Sequence, residues 1–385
     1  MHNRTKLFTL ILGMLAMCFP HTAGAYDLRA YFPLDSGRFW NFTGAPDGSS
    51  STWAVNGALT LKNVGRVMIL AMDNGRFLCL RDDWEGTHIY AEYGPDGYRI
   101  PEQPLLFLPS DLKLDVPTEQ SVTLKVFSDP EGNINFKETG KSNQTIKFMH
   151  KNIEDVTVGG HEFKNCVVIE KVTTEKDSTT SETLYLAPGV GPIKRVLAKG
   201  KEKTTYVINS CVGGGIIKAE NFSIKDLQPF KPGFTWTYKD QKGLVWNTVT
   251  KDKEPVEKVA SLPFAEDTGD IYYYVLDDRG LIMTQKFWSL VGGCTDFHPP
   301  DSPLQVFPAT LSLGAYYSSV SNARVHTWPS MTLMEEFYPE MHCSSIVVAK
   351  EDVTVLAGKY RGCVKVCQVT VSRNFNMNNE QIQIG

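Results

Sequence analysis

Two short stretches in the second half of the chain contain side chains of the kinds that bind zinc. They read Cys294-x-Asp296-x-His298 and Glu340-x-His342-Cys343. Thiolate, imidazole and carboxylate groups are the usual protein ligands of zinc, and a catalytic site keeps one coordination position open. The pattern therefore supports one functional hypothesis, a hydrolase or other metal-dependent enzyme that uses the His298/His342 region.

The spacing of these residues does not match a zinc signature, because the ligands come from two separate stretches of chain. Cys294 and Cys343 both lie in loop-like sequence and are the pair that we predict for a disulfide in the second half, which would consume both thiols. The chain also has no Gly-x-Ser-x-Gly motif, no Cys-x-x-Cys motif and no nucleotide-binding loop. We therefore assign no catalytic, cofactor-binding or metal-binding residue and no cofactor, and the non-enzymatic reading is favoured.

The elements that must position any site are repeated along the chain. Three segments of the first half return in the second half in the same order, namely residues 33–42 at 229–238, residues 104–114 at 303–313, and residues 154–167 at 351–364. The offsets of the three pairs are 196, 199 and 197 residues. A nearly fixed period of this length indicates a tandem duplication. Neither zinc-ligand stretch has a counterpart in the first half.

Strand and turn signals dominate both repeats. Runs rich in Val, Ile, Thr, Phe and Tyr alternate with turn sequences such as Asn74-Gly75, which favours antiparallel hairpins. We predict an all-β chain of two tandem antiparallel domains, each a strongly curved sheet or partly open barrel, because about 10 short strands in one sheet would curl. Gly213-Gly214-Gly215 is a flexible spacer, so the predicted domains are residues 27–210 and 222–385.

Each repeat opens with a motif whose aromatic residues we predict to anchor a core. Trp40 and Phe42 are two residues apart and so lie on one face of the first strand, and Trp236 and Tyr238 occupy the same positions in the second repeat. The Gly-rich residues 187–194 lie between strand-like runs and lack the Lys-Ser/Thr pair of a phosphate-binding loop. We therefore interpret them as a hairpin built on a Pro-Gly turn.

The N-terminus has the three parts of a secretory signal peptide. A basic region with Arg4 and Lys6 precedes an apolar stretch at 7–19, and small residues follow as Ala23-Gly24-Ala25. We predict that residues 1–25 are the signal peptide and that the mature protein is periplasmic or extracellular, with no transmembrane segment after cleavage. The residues before Cys18 resemble a lipoprotein box, but Met17 is too large for its position, so lipid anchoring at Cys18 is not predicted.

The net charge of the chain restricts the classes of molecule that it is expected to bind. Cleavage removes two of the 39 Lys and Arg residues and none of the 43 Asp and Glu residues, so the mature net charge is −6. This acidic chain has no basic stripe, which argues against nucleic acid as a partner.

Seven of the eight cysteines of the chain remain after cleavage, and an odd number leaves at least one thiol unpaired in a monomer. Cys166 and Cys363 are repeat-equivalent and are predicted to be small buried hydrophobic residues, with a role as disulfide partners as the alternative.

Three motifs of the chain resemble those of a known family. They are the Pro-Leu-x-x-Gly-x-x-Trp opening, the Val-x-Gly-x-x-Phe-x-Asn-Cys hairpin and the Ala-Pro-Gly-Val-Gly-x-x-Lys close, carried by Pro33, Gly37, Trp40, Phe163, Cys166 and residues 188–194. Together they look like secreted bacterial β-rich proteins of the TapB-like group, or a similar periplasmic domain of unknown function. The resemblance covers the first repeat and most of the second. It implies an exported β-rich protein and carries over no catalytic residue.

The favoured functional hypothesis is an exported, non-enzymatic binding or cell-envelope-associated protein. The concave face of a curled sheet could hold a small apolar ligand, since apolar clefts commonly do so. The alternatives are the enzyme at His298/His342 and a structural scaffold whose partner is an envelope protein. We also expect residues 380–384 to begin a strand without its usual hairpin partner, because the 197-residue offset maps Ala187, the residue before the Pro-Gly turn of the first repeat, to Ile384.

Overall fold

A computed structural model describes residues 27–384 apart from short segments. Those segments are 46–47, 73–74, 95–96, 129–136, 177, 213–216, 218, 228, 240–243, 290–293, 300, 328–329, 334–337, 356 and 377–378. The predicted signal peptide with Cys18, and the spacer at 213–215, lie outside the described residues. Strands make up 74% of the structure and helices 3%, which confirms the all-β prediction. The described residues include no helix that is both long and apolar enough for a membrane span.

Within the described residues, thirteen antiparallel strands form one sheet in the first half of the chain. They are β1 (Phe39–Ala45), β2 (Ser50–Leu61), β3 (Gly65–Met72), β4 (Arg76–Asp82), β5 (Gly86–Gly94), β6 (Gly97–Pro101), β7 (Leu105–Pro109), β8 (Thr118–Ser128), β9 (Lys137–Val158), β10 (His161–Glu175), β11 (Ser178–Ala187), β12 (Gly191–Lys199) and β13 (Glu202–Cys211).

Twelve of these strands close into a barrel. Consecutive strands pair around the ring, β8 pairs with β6 past β7, and β13 returns to pair with β1. The remaining strand, β7, pairs only with β5. The prediction of a partly open barrel is therefore wrong for this half. Closure pairs both edges of the curled sheet and so leaves no exposed strand edge in the ring.

The barrel is filled at one end by the chain segments that precede β1 and follow β6. An eight-stranded barrel is just filled by its wall side chains, so a ring of twelve needs additional residues inside. A 3-10 helix (Leu28–Tyr31) is tied to the segment after β7 by a hydrogen bond of 2.9 Å from the Leu28 amide to the Ser110 carbonyl. The Phe32 ring stacks on Trp40 at 5.0 Å and lies 5.1 Å from the Phe107 ring. These residues form a plug.

The aromatic anchor and the Gly-rich turn of the first repeat meet at this plug. Trp40 and Phe42 are fully buried, as predicted. The Trp40 indole donates a hydrogen bond of 2.7 Å to the Val190 carbonyl in the turn between β11 and β12. Gly191 in that turn has φ +107, and a Cβ there would lie 2.4 Å from Trp40 Nε1. The Pro-Gly segment is thus a hairpin turn, as predicted, and its glycine allows the indole to approach.

Fifteen further strands are described in the second half of the chain. They are β14 (Asn221–Ser223), β15 (Thr235–Lys239), β16 (Val245–Thr250), β17 (Glu254–Val256), β18 (Val259–Glu266), β19 (Ile271–Asp277), β20 (Gly280–Trp288), β21 (Cys294–Phe297), β22 (Leu304–Pro308), β23 (Thr310–Ser312), β24 (Tyr316–Asn322), β25 (Arg324–Thr327), β26 (Tyr338–Val355), β27 (Gly358–Asn376) and β28 (Asn379–Ile384). A short helix, α1 (Ile224–Leu227), lies between β14 and β15.

These strands form a curled half-barrel. One sheet runs β15-β16-β18-β19-β20-β21-β25 and a second runs β24-β26-β27-β28, and β24 and β25 are consecutive in the chain. The strand β22 pairs with β20 as β7 pairs with β5. Among the described residues, β28 pairs with β27 and with no other strand, as expected for the region of residues 380–384. The order of pairing thus follows much of that of β1 to β11, except that β21 pairs with β25 whereas β6 pairs with β8. No strand in the described part of this half takes the place of β12 or β13.

The open ring explains one wrong prediction. Tyr238 is 44% exposed and stacks on Trp246 at 5.4 Å, and Trp236 is only partly buried. Both lie on β15, which pairs among the described strands only with β16, whereas β1, which carries the matching sequence motif, is paired on both sides by β2 and β13. The sequence motif is the same in the two halves, but its aromatic side chains are fully buried only in the first half, where the ring of strands is closed.

The half-barrel packs on the outside of the barrel. Ser344 and Asn56 meet through a hydrogen bond of 3.3 Å, and the Asn56 amide donates to the Cys367 carbonyl at 3.0 Å. Lys365 donates to Ser50 Oγ at 2.7 Å. Beside these polar contacts, a buried apolar cluster joins the two parts, formed by Phe39, Ala54, Ile346, Val348 and Ala349.

The plug is expected to stabilise the barrel strongly. Replacing Phe32 with alanine removes the ring between Trp40 and Phe107 and should lower the free energy of unfolding by about 3–5 kcal/mol, the usual cost of deleting a buried aromatic side chain. Urea unfolding measures the change. Trp84→Ala is the matched control, because that side chain is 80% exposed, and it should change stability by less than about 0.5 kcal/mol. A similarly small effect for Phe32→Ala would contradict the role of the plug.

Candidate functional site

The two histidines predicted as an enzyme site do not face each other. On the paired strands β24 and β26, Ser321 is opposite Met341 and Val320 is opposite His342. Adjacent pairs point to opposite faces of a sheet. His298 contacts Ser321 on the buried face, whereas His342 lies beside the exposed Val320 on the other face. The structure therefore does not bring the His298/His342 pair together.

His298 has a structural hydrogen bond on one ring nitrogen. Its Nδ1 lies 2.9 Å from Ser321 Oγ, and that hydroxyl lies 2.5 Å from the Ser302 carbonyl, which can only accept. The single hydroxyl hydrogen therefore goes to Ser302, and Nδ1 of His298 is the protonated nitrogen. Burial lowers the pKa of His298 to about 4, so the ring is neutral at pH 7.

Of the possible metal ligands, the side chains of Cys294 and Asp296 lie outside the described part of the structure. Among the described residues, no three His, Cys, Asp or Glu side chains are grouped so as to hold a metal ion. Cys343 is a free, buried thiol on β26, and burial raises its pKa to about 11. The predicted Cys294–Cys343 disulfide is therefore wrong: Cys343 lies within a long strand and not in a loop. Cys166 is buried, as predicted, whereas Cys363 is only half-buried.

A cavity of about 680 Å³ occupies the end of the barrel that the plug does not fill. Its mouth lies at the hairpin ends of β3–β4, β5–β6 and β10–β11, opposite the end at which the 3-10 helix and β7 enter. The floor is apolar and rests on the plug. It is lined by Trp53, Leu78, Ile89, Leu105, Phe107 and Ile146, all of them buried.

A belt of paired charges surrounds the mouth. The Arg99 guanidinium donates to both oxygens of Glu175 at 2.9 and 2.8 Å and to Glu92 at 2.6 Å. Arg76 forms a second ion pair with Glu92, and Ser142 donates to Glu175 at 2.7 Å. Arg99 on β6 thus spans β8 and β9 to reach β10. These four charges cancel within the belt.

A further ion pair lies deeper in the cavity, on β11 and β12. Arg195 donates to Glu182 through Nε at 2.7 Å, and both side chains are largely buried. The Arg195 guanidinium also lies 3.8 Å from the centre of the Trp53 ring, within the range of a cation–π contact. The pair is therefore held against the apolar floor.

Lys171 is the ionisable group at the same depth on β10. Its Nζ lies 4.6 Å from the centre of the Phe107 ring and 5.5 Å from that of Phe148, and it donates a long hydrogen bond of 3.4 Å to the Phe107 carbonyl. Within the described residues, it forms no ion pair with a carboxylate. The pKa of Lys171 is lowered to about 8, chiefly by burial. The charge of Glu182 opposes this shift, and the charge of Arg195 adds to it. The amine is thus mostly protonated at pH 7.

Alternation along β10 explains how the cavity is built. The inward positions pass from Val167 and Ile169 in the core to Lys171, Thr173 and Glu175 towards the mouth. This change from apolar to charged side chains is visible in the sequence at every second residue. Sequence reasoning missed it because the outward positions of the strand also mix apolar and polar residues, so that the inner face is not evident before the barrel is known.

The cavity thus combines an apolar floor with a few convergent polar groups near its mouth. No family model, no curated protein and no solved structure matches this chain. The cavity and its side chains are therefore the observations on which a functional proposal is built.

The charge on Lys171 is expected to reduce stability at neutral pH. Below a pH of about 8 the folded protein carries a cation in the cavity, and this cost disappears as the pH rises to the ordinary lysine pKa of 10.5. Lys171→Met keeps the length of the side chain without its charge. This variant should be more stable than the wild type at pH 7 by on the order of 1–2 kcal/mol, a reduced value because the side chain is only half-buried.

Urea unfolding at pH 7 and at pH 10.5 checks this expectation, and the advantage of Lys171→Met should shrink at the higher pH. Lys199→Met, at an exposed position of β12, is the control and should show no such change. An equal difference between Lys171→Met and the wild type at both pH values would show that the amine is not desolvated.

Proposed function

We propose that this protein is an exported, non-enzymatic binding protein that holds a small molecule inside its twelve-stranded barrel. The observation that carries the proposal is the cavity of about 680 Å³, which opens at one end of the barrel and has an apolar floor. Small-molecule sites are typically concave, of about 300–1,000 Å³, and combine apolar walls with few polar groups. The proposed ligand lies within the closed barrel and not, as first expected, on an open concave sheet.

The construction of the barrel supports a binding role. Wall side chains and the plug fill one end with a continuous core, whereas the other end has charged residues directed inward. Charged side chains buried inside a barrel lower the free energy of unfolding unless they are paired or hydrogen-bonded. The belt of Arg99, Glu92 and Glu175 restricts the mouth, and a ligand would enter beside it.

The proposal includes a tandem origin for the two halves, with domains at residues 27–210 and 222–385. Three sequence matches at nearly one offset support it, as does the common order of strand pairing. Gly86 and Gly280 add a detail. Each opens its strand at positive φ opposite a proline, Pro109 or Pro308. A Cβ on either glycine would collide with the carbonyl of the residue before that proline, Leu108 or Phe307. The half-barrel would then be a second copy that serves as a support for the first.

The export and family parts of the proposal rest on the sequence. The signal-like residues 1–25 support secretion to the periplasm or beyond, and the motifs at residues 33–42 and 188–194 support kinship with the TapB-like secreted proteins. Both are consistent with a binding protein of the cell envelope.

Blocking the cavity tests the proposal. Thr173 lines the cavity, whereas its neighbour Thr174 points outward and contacts Thr179 across β10 and β11. Thr173→Trp should weaken binding of the neutral fluorophore Prodan by at least about tenfold, or 1.4 kcal/mol. Thr174→Trp places the same bulk on the opposite face and should leave affinity within about twofold, equivalent to a few tenths of a kcal/mol.

Fluorescence titration gives the affinities, and circular dichroism shows that both variants are folded. The proposal would be wrong if the wild type bound no Prodan, or if the two tryptophan variants weakened binding equally.

A further inference from the structure

We infer that the ligand of the barrel is an amphiphile with a single carboxylate, whose head group pairs with Lys171 and whose apolar chain lies on the floor of the cavity. This inference rests on the proposed function and specifies the class of molecule that is bound.

The charges of the cavity select an anion. At the mouth, Arg76 and Arg99 are matched by Glu92 and Glu175. At the deeper level, Arg195 is matched by Glu182. Lys171 then remains as a cation of the cavity interior that has no carboxylate partner among the described residues. A second lysine of the lining, Lys176, is exposed at the rim of the mouth.

The surroundings of Lys171 leave it suited to a carboxylate. An ammonium group has three donors, and the Phe107 carbonyl takes one of them through a long bond of 3.4 Å. The rings of Phe107 and Phe148 lie on the plug side and the wall side of the amine. Because aromatic faces attract cations and offer no acceptor for a strong hydrogen bond, the donors left over can serve an anion that enters from the cavity.

A single negative charge fits better than a phosphate dianion. One unmatched positive charge at this depth balances one carboxylate, whereas a dianion would leave an excess charge in an enclosure with an apolar floor. Phosphate groups are also commonly bound by several donors from arginine forks or helix N-termini. Here the nearest arginine, Arg195, is already bonded to Glu182 and lies on Trp53.

The remainder of the ligand is apolar because the floor is apolar. Trp53, Leu78 and Ile89 approach from the wall, and Leu105 and Phe107 come from the plug. A hydrocarbon chain placed on this surface would gain about 25 cal/mol for each Å² of apolar area removed from water. A carboxylic acid with a chain of medium length satisfies both the charge and the floor.

Paired ligands test the inference. Decanoate and decan-1-ol share a chain and differ in the head group, and each is titrated into the full-length mature protein in competition with Prodan. The wild type should bind decanoate at least about tenfold more tightly than decanol at pH 7, because only the carboxylate forms a charge-assisted contact with Lys171. Lys171→Met should remove this preference without weakening decanol, and Lys171→Arg should retain it.

A pH series supplies a test that does not depend on a variant folding. The charged groups that face Lys171 are Glu182 of β11 and Arg195 of β12, with Glu175 and Lys176 further along β10 towards the mouth. Between pH 7 and pH 10 the lysine amine loses its proton, while the carboxylates and the guanidinium keep their charge. Decanoate affinity of the wild type should therefore fall by about tenfold or more, and that of Lys171→Arg should stay constant.

The outcomes separate the two proposals. In one outcome, both ligands bind and Thr173→Trp blocks their binding, but the wild type does not prefer decanoate or Lys171→Met keeps that preference. This outcome would overturn the carboxylate inference and leave the binding function intact. Unchanged decanoate affinity of the wild type between pH 7 and pH 10 would also overturn it. Failure of both ligands and of Prodan to bind would overturn the binding function itself.

Discussion

The pairing of β13 with β1 is the constraint on which the rest of the structure depends. It joins residues far apart in the chain, such as Trp40 and Cys211, and turns a curled sheet into a ring of twelve strands. Such a ring encloses more space than its own side chains fill. The 3-10 helix, Phe32 and β7 fill one end, and the space left at the other end is the cavity. The half-barrel, in which no described strand completes the ring, shows the same motif residues partly exposed on β15.

The enclosure also explains why most charged side chains of the cavity are paired. The charges near the mouth and on β11 and β12 occur as close pairs, as required of ionic groups that lose contact with water. Lys171 departs from that rule, and burial lowers its pKa to about 8. Perturbed ionisable groups in clefts are candidates for functional roles. A lysine without a carboxylate partner is explained if a bound ligand supplies the carboxylate. The inference that the ligand is a carboxylate depends on this explanation.

Much of the local structure could be predicted from the sequence. Turn residues placed the hairpins β3–β4 and β11–β12, and the two-residue spacing of Trp40 and Phe42 identified an inward face. Closure could not be predicted, because it depends on a long-range contact that no local pattern encodes. The cavity was missed for the same reason. The separation of His298 and His342 could not be predicted either. His298 contacts Ser321, whose neighbour Val320 lies opposite His342, and consecutive residues of a strand point to opposite faces of the sheet.

The most direct test of the account is a crystal structure of the protein with 10-bromodecanoate, in which anomalous scattering locates the bromine. The account predicts one bromine site inside the barrel, against the floor near Leu78 and Ile89, with the carboxylate within hydrogen-bonding distance of Lys171 Nζ, about 2.7–2.9 Å. Bromine found only on the outer surface or in the half-barrel, or a carboxylate directed to the mouth and away from Lys171, would contradict it.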